Sequence, residues 1–392
     1  MTRRAAPVAL CLVTSVLVAL PCSLALAAPP RTTVYKVPSK IKGDCSAAVD
    51  DKISAWLASV PDNSTAQFGQ GRCYGQNGTI TLSGRRNLVI DGQGSEFRAL
   101  SPGDSHRSNW RFIGGANVSV RNVAVRGTNP LGGYQAGFEW QHGFSIEGVQ
   151  GMSLSNVQAR ETWGDGVYLD HSTNSPACGD DASSARNVSI SGARLERTGR
   201  QGVAVVDAEN VTLQNSTVGP AALASVDIET DYDCEIARQI TIAGNQFGAN
   251  TWGVVASVGF GADPQVGNVT VTDNVQTVAT SGCFAPVRIL SPVDGAGQIP
   301  AYRRDYVFRR NQLMGTRNGF EFRGVDNIEV SSNTVQLPPT TGCGTRAGVL
   351  LAGTHTVAIT SNVFSGANSV FIVRDPSGSQ SSGITSSGNT TG

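Results

Sequence analysis

Apolar and polar residues alternate in short runs that return at near-regular intervals along most of the chain. One four-residue pattern recurs as Asn117-Val-Ser-Val, Gly151-Met-Ser-Leu, Asn187-Val-Ser-Ile, Asn210-Val-Thr-Leu, Gln239-Ile-Thr-Ile, Asn268-Val-Thr-Val, Asn327-Ile-Glu-Val and Thr356-Val-Ala-Ile. A period of two sends one face of each copy into a core, so each copy predicts a short strand. The steps from Asn210 to Gln239, Gln239 to Asn268 and Asn327 to Thr356 are each 29 residues. An Asn follows most copies, at 122, 156, 215, 245, 274, 333 and 362. Asn tolerates the left-handed backbone of a tight bend, so these positions are expected to turn the chain.

A second pattern, Gly followed by an apolar residue, interleaves with the first in Gln141-His-Gly-Phe, Gly164-Asp-Gly-Val, Arg200-Gln-Gly-Val, Thr251-Trp-Gly-Val, Arg317-Asn-Gly-Phe and Arg346-Ala-Gly-Val. It marks a second strand per repeat. Two or three short strands in each period of roughly 22 to 37 residues predict a solenoid of stacked coils rather than a sandwich or barrel. Before the repeats, Val49, Ile53, Trp56, Leu57 and Val60 fall on one helical stripe that Asp44 could cap. The Ser- and Gly-rich end, residues 376–392, reads as a frayed tail.

The chain has 392 residues with 30 basic and 30 acidic side chains. With no long basic run, it lacks the footprint of a nucleic-acid binder. Arg3 and Arg4 precede an apolar stretch from Val8 to Leu20 and the small-residue site Ala25-Leu26-Ala27, as in a secretory signal ending at residue 27. That stretch is short for a membrane span and no later segment could supply one, so the mature chain is expected to be secreted and monomeric, without a span. Cleavage removes Cys11, Cys22 and two arginines, leaving six cysteines and a net charge of −2. Three structural disulfides are expected, and sequence order suggests Cys45–Cys73, Cys178–Cys234 and Cys283–Cys343 among 15 possible pairings. No compact Cys/His cluster suggests structural zinc.

The opening, with its one-stripe helix, Gln67-Phe-Gly-Gln-Gly-Arg-Cys-Tyr and Asn87-Leu-Val-Ile-Asp-Gly-Gln-Gly, together with the repeats, resembles the right-handed parallel β-helix proteins of the pectin-lyase-like superfamily. The resemblance runs from about Asp44 to Asp375 and implies an all-β, single-stranded right-handed parallel β-helix of about nine or ten coils. It also implies that the short helix plugs the first coil. The expected organisation is a signal peptide at 1–27, the capped β-helix at 28–375 and the tail at 376–392.

Aligning the second strands on Phe144, Val167, Val203, Val226, Val254, Val287, Phe320 and Val349 stacks equal offsets about 4.8 Å apart per coil. One residue on, the outward column reads Ser145, Tyr168, Ala204, Asp227, Val255, Arg288 and Glu321; three residues on, it begins Glu147, Asp170, Val206, Glu229. Just before the strand stand His142, Asp165 and Gln201, with Arg200 beside them. Acids are therefore concentrated on the coils between His142 and Asp231. Like charges at such spacing push one carboxyl up and leave another ionised, the division an acid and a base require. Asp170 and Asp227, two coils apart, should be separated by roughly 9 to 10 Å, against about 6.5–9.5 Å in inverting glycosidases.

Candidate catalytic residues are Asp165, Asp170, Asp227 and Glu229, and candidate substrate-binding residues are His142, Tyr168, Arg200, Gln201, Asp231 and Arg288. Trp163-Gly-Asp165-Gly-Val resembles the N-T-D-G element of polygalacturonases, but Arg200-Gln201 and Ala224-Ser225 replace the motifs expected on the next coils. Arg288-Ile289-Leu290 resembles that family's R-I-K without its lysine. The only lysines, Lys36, Lys40, Lys42 and Lys52, precede the coils, which disfavours a lysine-based lyase. His106 and His355 read as structural, and His171 as a turn residue or cleft edge. Three functions stay open, all with a polysaccharide partner: a glycoside hydrolase, a uronate lyase or epimerase, and a non-catalytic binding or surface protein. No cofactor is required, although Asp227, Glu229 and Asp231 could hold calcium.

Overall fold

The computed structural model describes residues 33–172, 183–232, 234–257, 265–294, 297–339, 342–344, 346–376 and 378–392. Every strand pairing among them is parallel between successive coils, as a solenoid requires. One wall is an 11-stranded sheet that starts at Ile80–Ser83 and ends at Ser369–Val373, and a 24-stranded surface forms the rest of the circumference. Eleven strands on one wall exceed the nine or ten coils expected, because three of them, Ile80–Ser83, Trp110–Ile113 and Ser369–Val373, lie outside the eight strands aligned from the repeats.

The short alternating copies behave as their pattern predicts. Val118 and Val120 of the Asn117 copy are buried, as are Ile240 and Ile242 of the Gln239 copy, and they join one continuous apolar core. Left-handed bends occur at the first residue of most copies, including Asn117, Asn187, Asn210, Gln239, Asn268, Asn327 and Thr356. The Asn residues after the copies divide into two groups. Asn122, Asn156 and Asn215 do take positive φ. Asn245, Asn274, Asn333 and Asn362 instead follow a positive-φ neighbour (Gly244, Asp273, Ser332 and Ser361) and stack inside the coil with Asn311. Each donates its amide to the next side-chain carbonyl and to a backbone carbonyl, so a buried ladder satisfies the polar atoms of the bend.

The helix spans Asp50–Ser59 and buries Ile53, Trp56 and Leu57, as the stripe predicts. Its start lies beyond Asp44, since Asp44–Ala48 is a strand and the Asp50 carboxylate instead accepts the amides of Asn77 and Gly78. The expected frayed tail is ordered in part: Ser382–Ser387 pairs with His355–Thr360, and Asn389 extends the ladder. Its polar composition reflects a last coil with one face in water. Disulfides Cys45–Cys73 and Cys283–Cys343 are present. Cys234 is also disulfide-bonded, and its expected partner Cys178 lies outside the described residues. Two disulfides suit an oxidising compartment. No helix among the described residues is long and apolar enough to cross a membrane. The expected signal peptide also lies outside the described residues.

Candidate active-site cleft

The site lies on the outer face of the 11-stranded wall, where four successive strands, Phe144–Glu147, Val167–Asp170, Val203–Val205 and Ala224–Ile228, stack in parallel. Their register gives an outward column of Ser145, Tyr168, Ala204 and Asp227, extended backwards by Arg111. The column continues as Ala256 and then Arg288, because Val255 rather than Val254 faces Val226. Val255 is therefore a core residue, not an outward one. Both Val254 and Val255 direct their amides at the Pro286 carbonyl, and this local irregularity displaces the alignment by one residue.

Tyr168, Ala204 and Val206 form a small apolar cluster separate from the core, a floor on the outside of the coils. Trp140, 41% exposed on the segment before Phe144, stands over it with its ring edge-on to Tyr168 and His142 and stacked on His106. Two hollows of about 220 Å³ share Trp140 and Tyr168. One is lined by His106, Arg111, His142, Glu147 and Asp170, the other by Glu139, Arg200, Glu229 and Asp231.

In the first hollow the Tyr168 ring stacks on His142 at 4.3 Å between centroids, and its hydroxyl donates to Asp170 Oδ2 at 2.9 Å. Burial and the Asp170 charge hold the Tyr168 phenol well above its usual range. Glu147 is bound by Arg111 through two bonds of 2.8 Å. Asp170 Oδ1 accepts the His171 amide at 2.7 Å and lies 2.7 Å from His171 Nδ1. Contact with that carboxylate pushes the His171 imidazole up to about 9.

Glu229 lines the second hollow, and Asp227 is buried beneath it as its neighbouring carboxyl. Burial raises both: Asp227 to about 6 and Glu229, pushed further by the Asp227 charge, to about 8. Gln201 Nε2 donates to Asp227 Oδ2 at 2.8 Å, fixing Asp227 as the acceptor of the pair. Burial, followed by the Asp170 charge, also raises Asp231.

Asp165 is 0% exposed and so makes no contact with solvent in the cleft. It accepts the Gln201 amide at 2.9 Å, and its Oδ2 stands 3.1 Å from His142 Nδ1 and 3.7 Å from Arg200. Although burial opposes it, Arg200 and His142 hold Asp165 below the usual carboxylate range. Arg200 in turn reaches Glu229 at 3.9 Å, linking the buried acid to the half-buried one that lines the cleft.

The structure thus brings together Asp170, Glu229, Asp231, His142, Tyr168 and Arg200 at the cleft, with Asp165, Asp227 and Gln201 beneath it. Arg288 is not among them. It lies two coils beyond Asp227, beside Glu321 and over the Phe284 ring. Sequence reasoning missed Trp140, Arg111 and Glu139 and treated His106 as structural, though it lines the cleft. Arg111 was detectable by extending the outward column to the Trp110–Ile113 strand; Trp140 and His106 lie on connections that carry no repeat.

A family model described as a right handed beta helix region matches residues 142–291, the stretch that contains most of the cleft. The fold is the right-handed parallel β-helix. No curated protein matches the chain in sequence. The β-helix is similar to the A-module of a mannuronan C-5 epimerase from Azotobacter vinelandii, with a TM-score of 0.63 at 13% identity over 89% of this chain and 97% of that one. It is similar to the catalytic unit of an α-1,3-glucanase from Streptomyces thermodiastaticus, with a TM-score of 0.57 at 15% identity over 94% of this chain and 70% of that one. A surface adhesin of Streptococcus pneumoniae superposes with a TM-score of 0.57 at 14% identity, over 84% of this chain and 89% of that one. At such identities the likeness establishes the β-helix and leaves its chemistry to the cleft.

Proposed function

We propose that the protein is a secreted polysaccharide-active enzyme that hydrolyses glycosidic bonds, with Glu229 as general acid and Asp170 as general base. The observation that carries this reading is the apolar floor of Tyr168, Ala204 and Val206, flanked by Asp170 on one side and Glu229 on the other. The two acids occupy the same strand-end position two coils apart, and Val206 holds that position between them. Stacking at about 4.8 Å per coil separates their backbones by roughly 9 to 10 Å, room for a sugar and a water in an inverting arrangement. A sugar ring packs on the Tyr168 and Trp140 faces through its C–H surface. Glu229, kept protonated to about 8, is suited to protonate the leaving oxygen. Asp170 acts as an acceptor toward both Tyr168 and His171, the form a base takes.

Asp165 and Asp227 serve as positioning residues in this account. Asp165 anchors Arg200, and the Asp227 charge helps keep Glu229 protonated. The mannuronan epimerase likeness suggests a uronate polymer, but two observations count against it. Tyr168 is a poor base because its phenol is held well above its usual range. The cleft also presents Glu139, Glu147, Asp170 and Asp231 against Arg111 and Arg200, both engaged by acids, which repels a polyanion. A neutral glycan fits better, in keeping with the glucanase neighbour.

The test is a panel of neutral and acidic polysaccharides assayed for reducing ends, for ultraviolet absorbance of unsaturated uronates and by proton NMR. Reducing ends without new absorbance are expected on a neutral glycan. Elimination or epimerisation products, or binding without turnover, would replace this reading with one of the other two.

A further inference from the structure

At the end of the Val167–Asp170 strand, beyond the floor of the cleft, three carboxylates converge on one imidazole. His171 Nδ1 lies 2.7 Å from Asp170 Oδ1, 3.4 Å from Glu235 Oε1 and 3.8 Å from Asp207 Oδ2. All four residues are buried, Glu235 to 2% exposure. The proposed hydrolysis uses only Asp170 of this set.

Apart from the His171 amide, which donates to Asp170 Oδ1, the hydrogen bonds around the cluster attach from outside. Tyr168 donates to Asp170 Oδ2, the amides of Asp231 and Tyr232 donate to Glu235 Oε2, and the Ile236 amide donates to Asp207 Oδ1. Each carboxylate is thereby oriented with its other oxygen toward His171. Inside, the bonding fails: His171 Nδ1 and Glu235 Oε1 are buried and make no hydrogen bond despite their proximity. A buried carboxylate oxygen without a donor is costly, and three carboxylates around one imidazole leave a charge excess that burial penalises. Outer bonds that orient inner atoms with unfilled valence are the arrangement seen around bound metals.

Asp170 Oδ1, His171 Nδ1 and Glu235 Oε1 lie within 4.8 Å of one another. A cation with bonds of about 2.0–2.2 Å places tetrahedral ligands roughly 3.3 Å apart. The 3.4 Å separation already meets this, and the 2.7 Å one needs to open by well under 1 Å. Calcium and magnesium favour all-oxygen shells, whereas an imidazole nitrogen with carboxylate oxygens suits a divalent transition ion.

We propose that Asp170, His171 and Glu235 form a binding site for a divalent transition-metal ion of the zinc class, with Asp207 beside it as a supporting carboxylate. The ion would tie the end of the Val167–Asp170 strand to the segment that follows Ala224–Ile228. Glu235 already holds the Asp231 and Tyr232 amides, so the ion would fix the Asp231 wall of the cleft. The inference shares Asp170 with the proposed hydrolysis, engaging its Oδ1, and metal content read without substrate separates the failure of one from the failure of the other. It also differs from the calcium expectation, which rests on the separate trio Asp227, Glu229 and Asp231.

The experiment uses the untagged secreted protein, stripped with chelator and dialysed against micromolar Zn2+ with millimolar Ca2+ present, with metal counted by mass spectrometry. One zinc per chain is expected. Glu235→Gln and His171→Asn should each abolish uptake, Asp207→Asn should weaken it by about 10- to 100-fold, and Glu329→Gln, remote on the opposite surface, should retain it. Circular dichroism verifies that each variant is folded. X-ray absorption of the zinc-loaded wild type, which needs no variant, should show one imidazole nitrogen and oxygen ligands without sulfur. Absence of zinc from the wild type would overturn the proposal and leave an imidazolium as the holder of the carboxylates. Zinc retained by both ligand variants, or a shell without imidazole, would overturn it as well.

Discussion

Glu229→Gln separates a catalytic carboxyl from a structural one, because the same buried proton that serves catalysis costs the fold stability. In the native state Glu229 titrates at about 8, against 4.5 for the ordinary group. Between those values the folded protein holds a proton that the unfolded chain has released, so native stability falls as pH rises through the window. Each unit of displacement is worth about 1.4 kcal/mol. Partial solvent access reduces the total, leaving a penalty on the order of a few kcal/mol at pH 8. Glutamine carries no such penalty. The variant should therefore match wild type near pH 4, become the more stable protein as pH approaches 8, and lead there by a few degrees in thermal midpoint. Its kcat should fall by about 100- to 10,000-fold, and wild-type kcat should itself decline above about pH 8 as Glu229 loses its proton. Scanning calorimetry at three pH values, with reducing-end assays on the same samples, checks all of this. A variant less stable than wild type at pH 8, or a stability difference independent of pH, would show that Glu229 is ionised in the fold and would refute the assignment.

Other parts of the account predict as directly. Replacing Cys283 and Cys343 by serine opens a 60-residue loop, with an expected loss of about 4 kcal/mol by loop-closure entropy; an unchanged denaturant midpoint would contradict that. Asn311→Ala removes the central rung of the ladder and leaves buried partners of Asn274 and Asn333 unsatisfied, for a cost of about 1–3 kcal/mol in chemical denaturation. Trp140→Ala should raise KM by about tenfold with kcat little changed, since its ring packs on substrate without taking part in proton transfer; a fall in kcat alone would place it elsewhere.

The solenoid was legible because its signal is repeated: alternation, spacing and bend residues recur in each coil, and an error in one copy is corrected by the next. The acid-rich coils followed from the same register as far as Asp227. Beyond it the alignment slipped by one at Val254 and Val255, where two consecutive valines are both buried and the pattern offers no way to choose between them. Burial was the second illegible quantity. Asp165 and Asp170 stand five residues apart in one coil, yet one is sealed beneath Arg200 while the other reaches the cleft. Connections were the third: Trp140 and His106 meet over the cleft, and Asp207 and Glu235 meet at His171, through chain segments that belong to no repeat.

The central claim is that Asp170 and Glu229 act across a two-coil gap. The most direct measurement is proton NMR of the anomeric region during the first minutes of hydrolysis of whichever glycan the enzyme cleaves. The gap predicts that the first-formed reducing end has the anomeric configuration opposite to that of the bond broken. Retained configuration would contradict the account, because it requires two carboxyls close enough for one to bond the sugar directly.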